Sequence, residues 1–402
     1  MQTQTTLQET AGMVQKPVRL HYLDWLRVIT ILGVFLFHSV HIFDLGDWHI
    51  KNAEQSMVIT ILLVLFSLWG MPFFFLIAGT GSWFALRRRT ASQYTAERFK
   101  RLMVPFIFGS ILFMPIMLYL EWLHKTPKGI LMGTFLEFVT NRNVGFSPRW
   151  FGALGYHLWF LGFLFAFAML ALPLFLWLKG ESGQRLVTWM ARLCERRGRI
   201  LLFILPLLLV ELSLRPFFPI EHDWADFFFQ MSFFILGFVL FADERFAQAI
   251  QRDWRIILAA SIVSLALLLV TFGIGDPFTW AETPTTPGFY LVWSLVTANA
   301  LYWSLFVLFV GMRFLDFSNV WLQYGQQAVL PFFVIHQPVI IVIGFFVVQW
   351  SVGILPKMLV VVIGSLAVCI ALYELVIRRS RPLRAIFGMT SKRPDQALAG
   401  PS

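Results

Sequence analysis

Residues 23–43 read LDWLRVITILGVFLFHSVHIF. The run is apolar enough to cross a bilayer, which takes about 20 residues rising ~1.5 Å each, yet it carries Asp24, Arg27, His38 and His41. At about 100° per residue, Arg27 and His38 lie three full turns and roughly 20° apart. Asp24 falls about 60° to one side of Arg27 and His41 about 40° to the other, so the four polar groups share an arc of roughly 100°. Such a face cannot look at lipid, where ionisable side chains are costly and therefore turn toward a bundle interior or a wet cavity. His38 stands ~16 Å further across the membrane than Arg27.

The rest of the chain agrees with a bilayer as solvent. Of its 402 residues 58% are hydrophobic and only 13% charged, too little charge to cover a soluble surface of this size. Runs of about 20 apolar residues give ten expected spans: 22–43, 57–85, 102–122, 156–178, 199–218, 225–241, 255–272, 290–311, 327–348 and 354–377. The expected fold is an all-α polytopic membrane bundle of about ten transmembrane helices. With the N-terminus in the cytoplasm, 25 of the 32 Lys and Arg fall on the inner side, so both termini are expected to be cytoplasmic. The net charge of +10 is then the usual positive-inside bias and not a nucleic-acid surface. Residues 1–20 read as a cytoplasmic tail without a signal-peptide core, 21–380 as the membrane domain and 381–402 as a second cytoplasmic tail. The second outer segment, about 123–155, is expected to hold a short interfacial helix near Gly129–Thr140. Cys194 and Cys369 indicate neither a disulfide framework nor a metal cluster.

A second cationic element lies at the level of Arg27. The segment YTAERFKRLMVP, residues 94–105, places Arg98 and Arg101 at i and i+3 on one face of a helix entering the third span, and paired guanidinium forks suit phosphate oxygens. Each of these also has a plain structural reading: an i,i+3 ion pair for Asp24 and Arg27, ordinary basic flanking sequence or a lipid contact for Arg98 and Arg101, an interhelical bridge for His38. His336, followed by Gln337 and Pro338, interrupts the ninth span, where proline removes a donor and frees a carbonyl; His336 either lines a cavity or satisfies that kink. His157 and Trp159, at the outer start of the fourth span, are candidates for the acceptor side or for an aromatic belt, as are Trp48, Trp150 and Trp224. Glu211 lies inside the fifth span as a candidate cavity acid, and Glu374 is spaced to pair with Arg378.

Arg27, ten residues, His38, then Arg98-x-x-Arg101 before Pro105, resemble the membrane acyltransferase 3 family. YLDWLR at 22–27, DWHIKN at 47–52, FFFLIAG at 73–79, YHLWFL at 156–161, VIHQP at 334–338 and LYELVIRRSRPL at 372–383 extend the likeness over nearly the whole bundle. The DWH, HLWFL and LYE forms are most similar to the branch holding the succinyltransferases of osmoregulated periplasmic glucans. The chain departs from the common pattern at Trp159-Phe160-Leu161, where many members carry Trp-Ser-Leu and a Glu. The resemblance implies an enzyme of the bacterial inner membrane that passes an acetyl or succinyl group from cytoplasmic acyl-CoA, a co-substrate and not a tightly bound cofactor, to a carbohydrate hydroxyl at the outer side. It also implies essential roles for His38, Arg27, Arg98 and Arg101. A neutral imidazole suits the reaction, because it can accept the proton of the attacking hydroxyl. The rival from another class is a proton-coupled transporter or flippase of a sugar or lipid-linked sugar, with His38, His336 and Glu211 as a relay.

Overall fold

A computed structural model describes residues 20–126 and 147–389. The expected tail through residue 19, the expected helix near Gly129–Thr140 and residues 390–402 lie outside the described residues. Within them the regular structure is entirely helical. In chain order the helices are α1 His21–Val40, α2 Met57–Ser67, α3 Gly70–Leu86, α4 Ala91–Arg98, α5 Val104–Lys125, α6 Arg149–Gly155, α7 Trp159–Leu170, α8 Leu172–Lys179, α9 Glu181–Cys194, α10 Ile204–Leu214, α11 Trp224–Leu240, α12 Glu244–Arg252, α13 Trp254–Ile274, α14 Pro277–Glu282, α15 Pro287–Phe314, α16 Val320–Val347, α17 Ile354–Leu372 and α18 Arg381–Ile386.

Among the described residues, eight stretches are long and apolar enough to cross a membrane: His21–Val40, Met57–Leu86, Ala91–Lys125, Arg149–Leu170, Trp254–Ile274, Pro287–Phe314, Val320–Val347 and Ile354–Ile377. The other two expected runs are helical but shorter. Residues 199–218 open on a 3-10 turn, Arg199–Phe203, after the left-handed Gly198, and continue as the 11-residue α10. Pro216 then offers no N–H to prolong it. Residues 225–241 form α11, 17 residues long and bent by 102° from α12, where Asp243 caps a new helix through the Arg245 N–H. Arg245 also bonds the Asp243 side chain and holds its carboxyl below the usual range.

The first helix takes the orientation its polar arc demands. Ile29, Leu32 and Leu36 are its exposed apolar residues, and on the helical wheel they lie about 140–200° from Arg27, opposite the polar groups. The inward side, with Leu23, Leu26, Ile31 and Val34 buried, packs on α3, α15, α16 and α17.

The closest helix pair is α3 with α11. Gly79 lies against the Phe234 carbonyl and Gly237 against the Leu76 carbonyl, so each glycine admits the other helix's backbone. Without a hydrophobic drive between helices in lipid, this small-residue contact supplies the packing.

Two further segments close the ends of the bundle. After α1 the loop 41–56 folds inward: Ile42, Phe43 and Ile50 are fully buried and Trp48 nearly so. Asn52 N–H donates to Ile42 O at 2.9 Å, and Lys357 Nζ, itself buried, donates to Asn52 Oδ1 at 2.9 Å and Val348 O at 3.0 Å. At the opposite end the expected tail from residue 381 is folded through 389. Arg384 and Phe387 are buried, and Gly388, at φ 67°, lies against the Arg101 backbone.

Gly79→Ala and Gly237→Ala place a methyl group on a carbonyl that cannot retreat, and each is expected to cost about 1–3 kcal/mol or more. Gly273→Ala, which meets nothing within 4 Å, is the neutral control. Melting temperatures of the three detergent-purified variants check this.

Candidate active site

Three imidazoles from three elements meet beside α1. The His38 ring lies 5.3 Å from His336 on α16, and His336 lies 5.2 Å from His157, edge to face. Phe332 and Phe333 pack against His336. His157 and His336 are buried, whereas His38 is half-buried with its Nδ1 enclosed.

Proline chemistry explains why His157 sits there. In α16 the helix runs unbroken from Val320 to Val347 through Pro331 and Pro338, so the expected interruption is local to the hydrogen bonds. Pro338 has no N–H for the carbonyl four residues earlier, that of Val334. His157 Nε2 donates to that Val334 oxygen at 3.2 Å. The kink is therefore satisfied by His157 and not by His336, whose Nδ1 donates to Phe333 O at 2.6 Å. Because a carbonyl only accepts, these bonds fix both tautomers. The remaining nitrogens, His157 Nδ1 and His336 Nε2, are buried lone pairs without a protein partner. They can accept an N–H or O–H from a bound molecule; as neutral rings they cannot donate to an oxyanion.

His157 arrives through a short 3-10 turn, Tyr156–Leu158, that follows α6 with Tyr156 at φ 51°. A non-glycine residue at positive φ is uncommon and signals that the surroundings dictate the turn. Trp159, the next helical residue, lies tilted 4.2 Å from the His222 ring and joins the Phe75 and Phe163 rings, away from His38, His157 and His336.

Arg27 Nη1 donates to Asp24 Oδ1 at 3.4 Å, the anticipated i,i+3 pair. Arg98 Nη2 donates to Ser82 Oγ at 3.2 Å, its guanidinium lies over the Tyr94 ring, and both it and Arg27 Nη2 come within 4 Å of where a side chain on Gly81 would begin. Arg101 stands within a π-turn, Phe99–Met103. Its side chain, half exposed, pairs with Glu97 at 3.5 Å, and Glu97 also holds Arg89 at 2.7 Å.

Glu211 belongs to another polar group. It accepts from Arg215 Nε at 2.7 Å; Arg215 also pairs with Asp226 and lies over the Trp293 ring, tying α10, α11 and α15 together. Glu374 accepts two bonds from Arg378 at 2.9 Å, as its spacing predicts.

Sequence reasoning passed over a second constellation at the Val40 end of α1. Trp48 lies parallel to His38 at 6.0 Å and touches His41 and His49. His49 Nδ1 donates to Glu121 Oε2 at 2.6 Å, beside the Tyr156 ring. The signal was present: Glu121 is a carboxylate inside an expected span, open to the same argument that singled out His38.

With this geometry in place, the comparisons with known proteins are specific. The model of the acyltransferase domain family matches residues 20–374. The chain is 22% identical over 378 residues to glucans biosynthesis protein C of Salmonella schwarzengrund, and 23% identical over 374 residues to the protein of that name from Salmonella agona. Each alignment covers 90% of this chain and 92% of the relative. No solved structure matches.

The bond from His157 to the proline-freed carbonyl sets a double-mutant test. His157→Phe leaves Val334 O unpaired and is expected to cost about 1–3 kcal/mol. Pro338→Ala restores an N–H to that carbonyl, so the double variant should regain stability relative to additive losses, read from a thermal or denaturant double-mutant cycle.

Proposed function

The chain belongs to the acyltransferase domain family, and from that premise we propose that it transfers an acetyl or succinyl group from cytoplasmic acyl-CoA to a hydroxyl of an extracytoplasmic carbohydrate. It is a multi-pass helical acyltransferase; the donor, the acceptor side and the direction are our reading. In that reading the chain crosses the bacterial inner membrane ten times with both ends in the cytoplasm, which the uneven distribution of Lys and Arg supports. The carbohydrate is a glucan or a related glycan, in keeping with the name of the Salmonella relatives.

The observation that carries the proposal is the single face of α1, with Arg27 at one end beside Arg98 and His38 three turns on beside two further imidazoles. Acyl-CoA is a bulky polyphosphate head on a thin pantetheine arm. Arg27 and Arg98 suit the phosphates, with Arg101 at the rim, and the arm reaches along the helix toward His38. The lone pairs of His336 Nε2 and His157 Nδ1 suit donors on the arm or the acceptor.

The acceptor oxygen attacks the thioester carbonyl while His38 takes its proton; the C–S bond breaks, and the imidazolium returns the proton to the departing thiolate. No net proton is consumed. The relay expected of a transporter would need Glu211 near His38 and His336, but the partners of Glu211 are Arg215 and, through it, Asp226.

Acyl-CoA is expected to raise the melting temperature of the purified protein, and Arg98→Ala to remove most of that shift. His38→Ala should keep the shift and lower turnover by roughly 10²–10⁴-fold. A fully active His38→Ala protein would refute the assignment, and wild-type protein that binds no acyl-CoA would refute the donor.

A further inference from the structure

We propose that the loop 41–56, together with Glu121 and Tyr156, forms the acceptor site, and that it takes an uncharged carbohydrate whose hydroxyl is held by His49. This deepens the preceding reading and rests on it.

The position comes first. The Trp48 ring lies 6.0 Å from that of His38 and 5.2 Å from that of His49, so His49 stands one ring beyond the proposed base. The layer is half-open: the side chains of His49 and Glu121 keep 16% and 24% of their surface, against 1% for the whole of His336. A molecule arriving from the Val40 end meets these groups before it meets His38.

The chemistry comes second. An ionised Glu121 can only accept, so the 2.6 Å bond puts the proton on His49 Nδ1 and leaves Nε2 as an acceptor for a hydroxyl. Tyr156 flanks the pair, its hydroxyl 3.4 Å from Glu121 Oε2 and its ring 4.8 Å from the His49 ring. Glu121 is also held by Lys125 at 3.3 Å, so the imidazole is oriented by a carboxylate that is itself fixed. Aromatic rings beside a fixed imidazole and carboxylate match a polyhydroxylated ring, which offers C–H faces and O–H donors together.

Charge decides the class of carbohydrate. Lys51 binds Asp44 and the His41 carbonyl, Lys125 binds Asp47 and Glu121, and Lys357 binds Asn52 and the Val348 carbonyl. Asp44, Asp47 and Glu121 match these three lysines in charge, so among the described residues the loop offers an anionic sugar no lysine that is not already held.

The test is steady-state acyl transfer by the purified full chain to a neutral gluco-oligosaccharide and to a uronic-acid oligosaccharide of equal length. Wild-type protein is expected to saturate with the neutral one at the lower concentration. His49→Gln and Glu121→Gln should raise the KM for it roughly tenfold or more, with kcat changed much less and the thermal shift by acyl-CoA retained. Tyr156→Phe, which leaves the ring in place, should raise KM more modestly and serves if Glu121→Gln does not fold. An unchanged acceptor KM in folded His49→Gln, or equal use of the uronic-acid chain, would overturn the acceptor site alone. Transfer to neither oligosaccharide by protein that binds acyl-CoA would overturn the carbohydrate reading, and this site with it.

Discussion

A helix that must cross hydrocarbon while carrying an arginine and two histidines has one orientation open to it. The exposed Ile29, Leu32 and Leu36 fix the lipid side of α1, and everything polar on the helix is thereby turned toward α3, α16 and the loop 41–56. The remaining site follows from that constraint. His336 and Trp48 are where they are because a buried imidazole face needs neighbours that are neither lipid nor bulk water.

Periodicity and charge made much of this legible. The orientation of α1, the Asp24–Arg27 and Glu374–Arg378 pairs, and the freed carbonyl at Pro338 all follow from spacing and from what each residue type can donate. What stayed hidden depended on long-range approach. Nothing local to His157 announces that it reaches Val334, 177 residues away, and nothing local to Glu121 announces His49. The π-turn at Phe99–Met103 was hidden for another reason: the residue spacing that draws a helix face carries no mark of a change in winding. The expected spans at 199–218 and 225–241 were read from hydropathy alone, which does not register the left-handed Gly198 or the cap at Asp243.

The site is layered along α1. A guanidinium pair around Gly81 stands at one end, an imidazole group in the middle, and a carboxylate-held imidazole beyond Trp48 at the other. That order suits a reaction whose two substrates arrive from opposite sides, since neither needs to pass the other. Trp48 lies beside both the middle and the far layers, through His38 and His49. The Lys357–Asn52 bond anchors its loop to α17, so the partition is braced by a helix that also packs on α1.

A widened turn is formally one extra residue wound into a helix, and the stretch Phe99–Met103 carries one directly above a transmembrane segment. Such a turn works as a rotary coupling: it sets the azimuth of Arg101 independently of the packing of α5 below. Deleting a single residue there would tighten the winding back to the ordinary helix and swing the guanidinium around the axis, leaving the span beneath it in register.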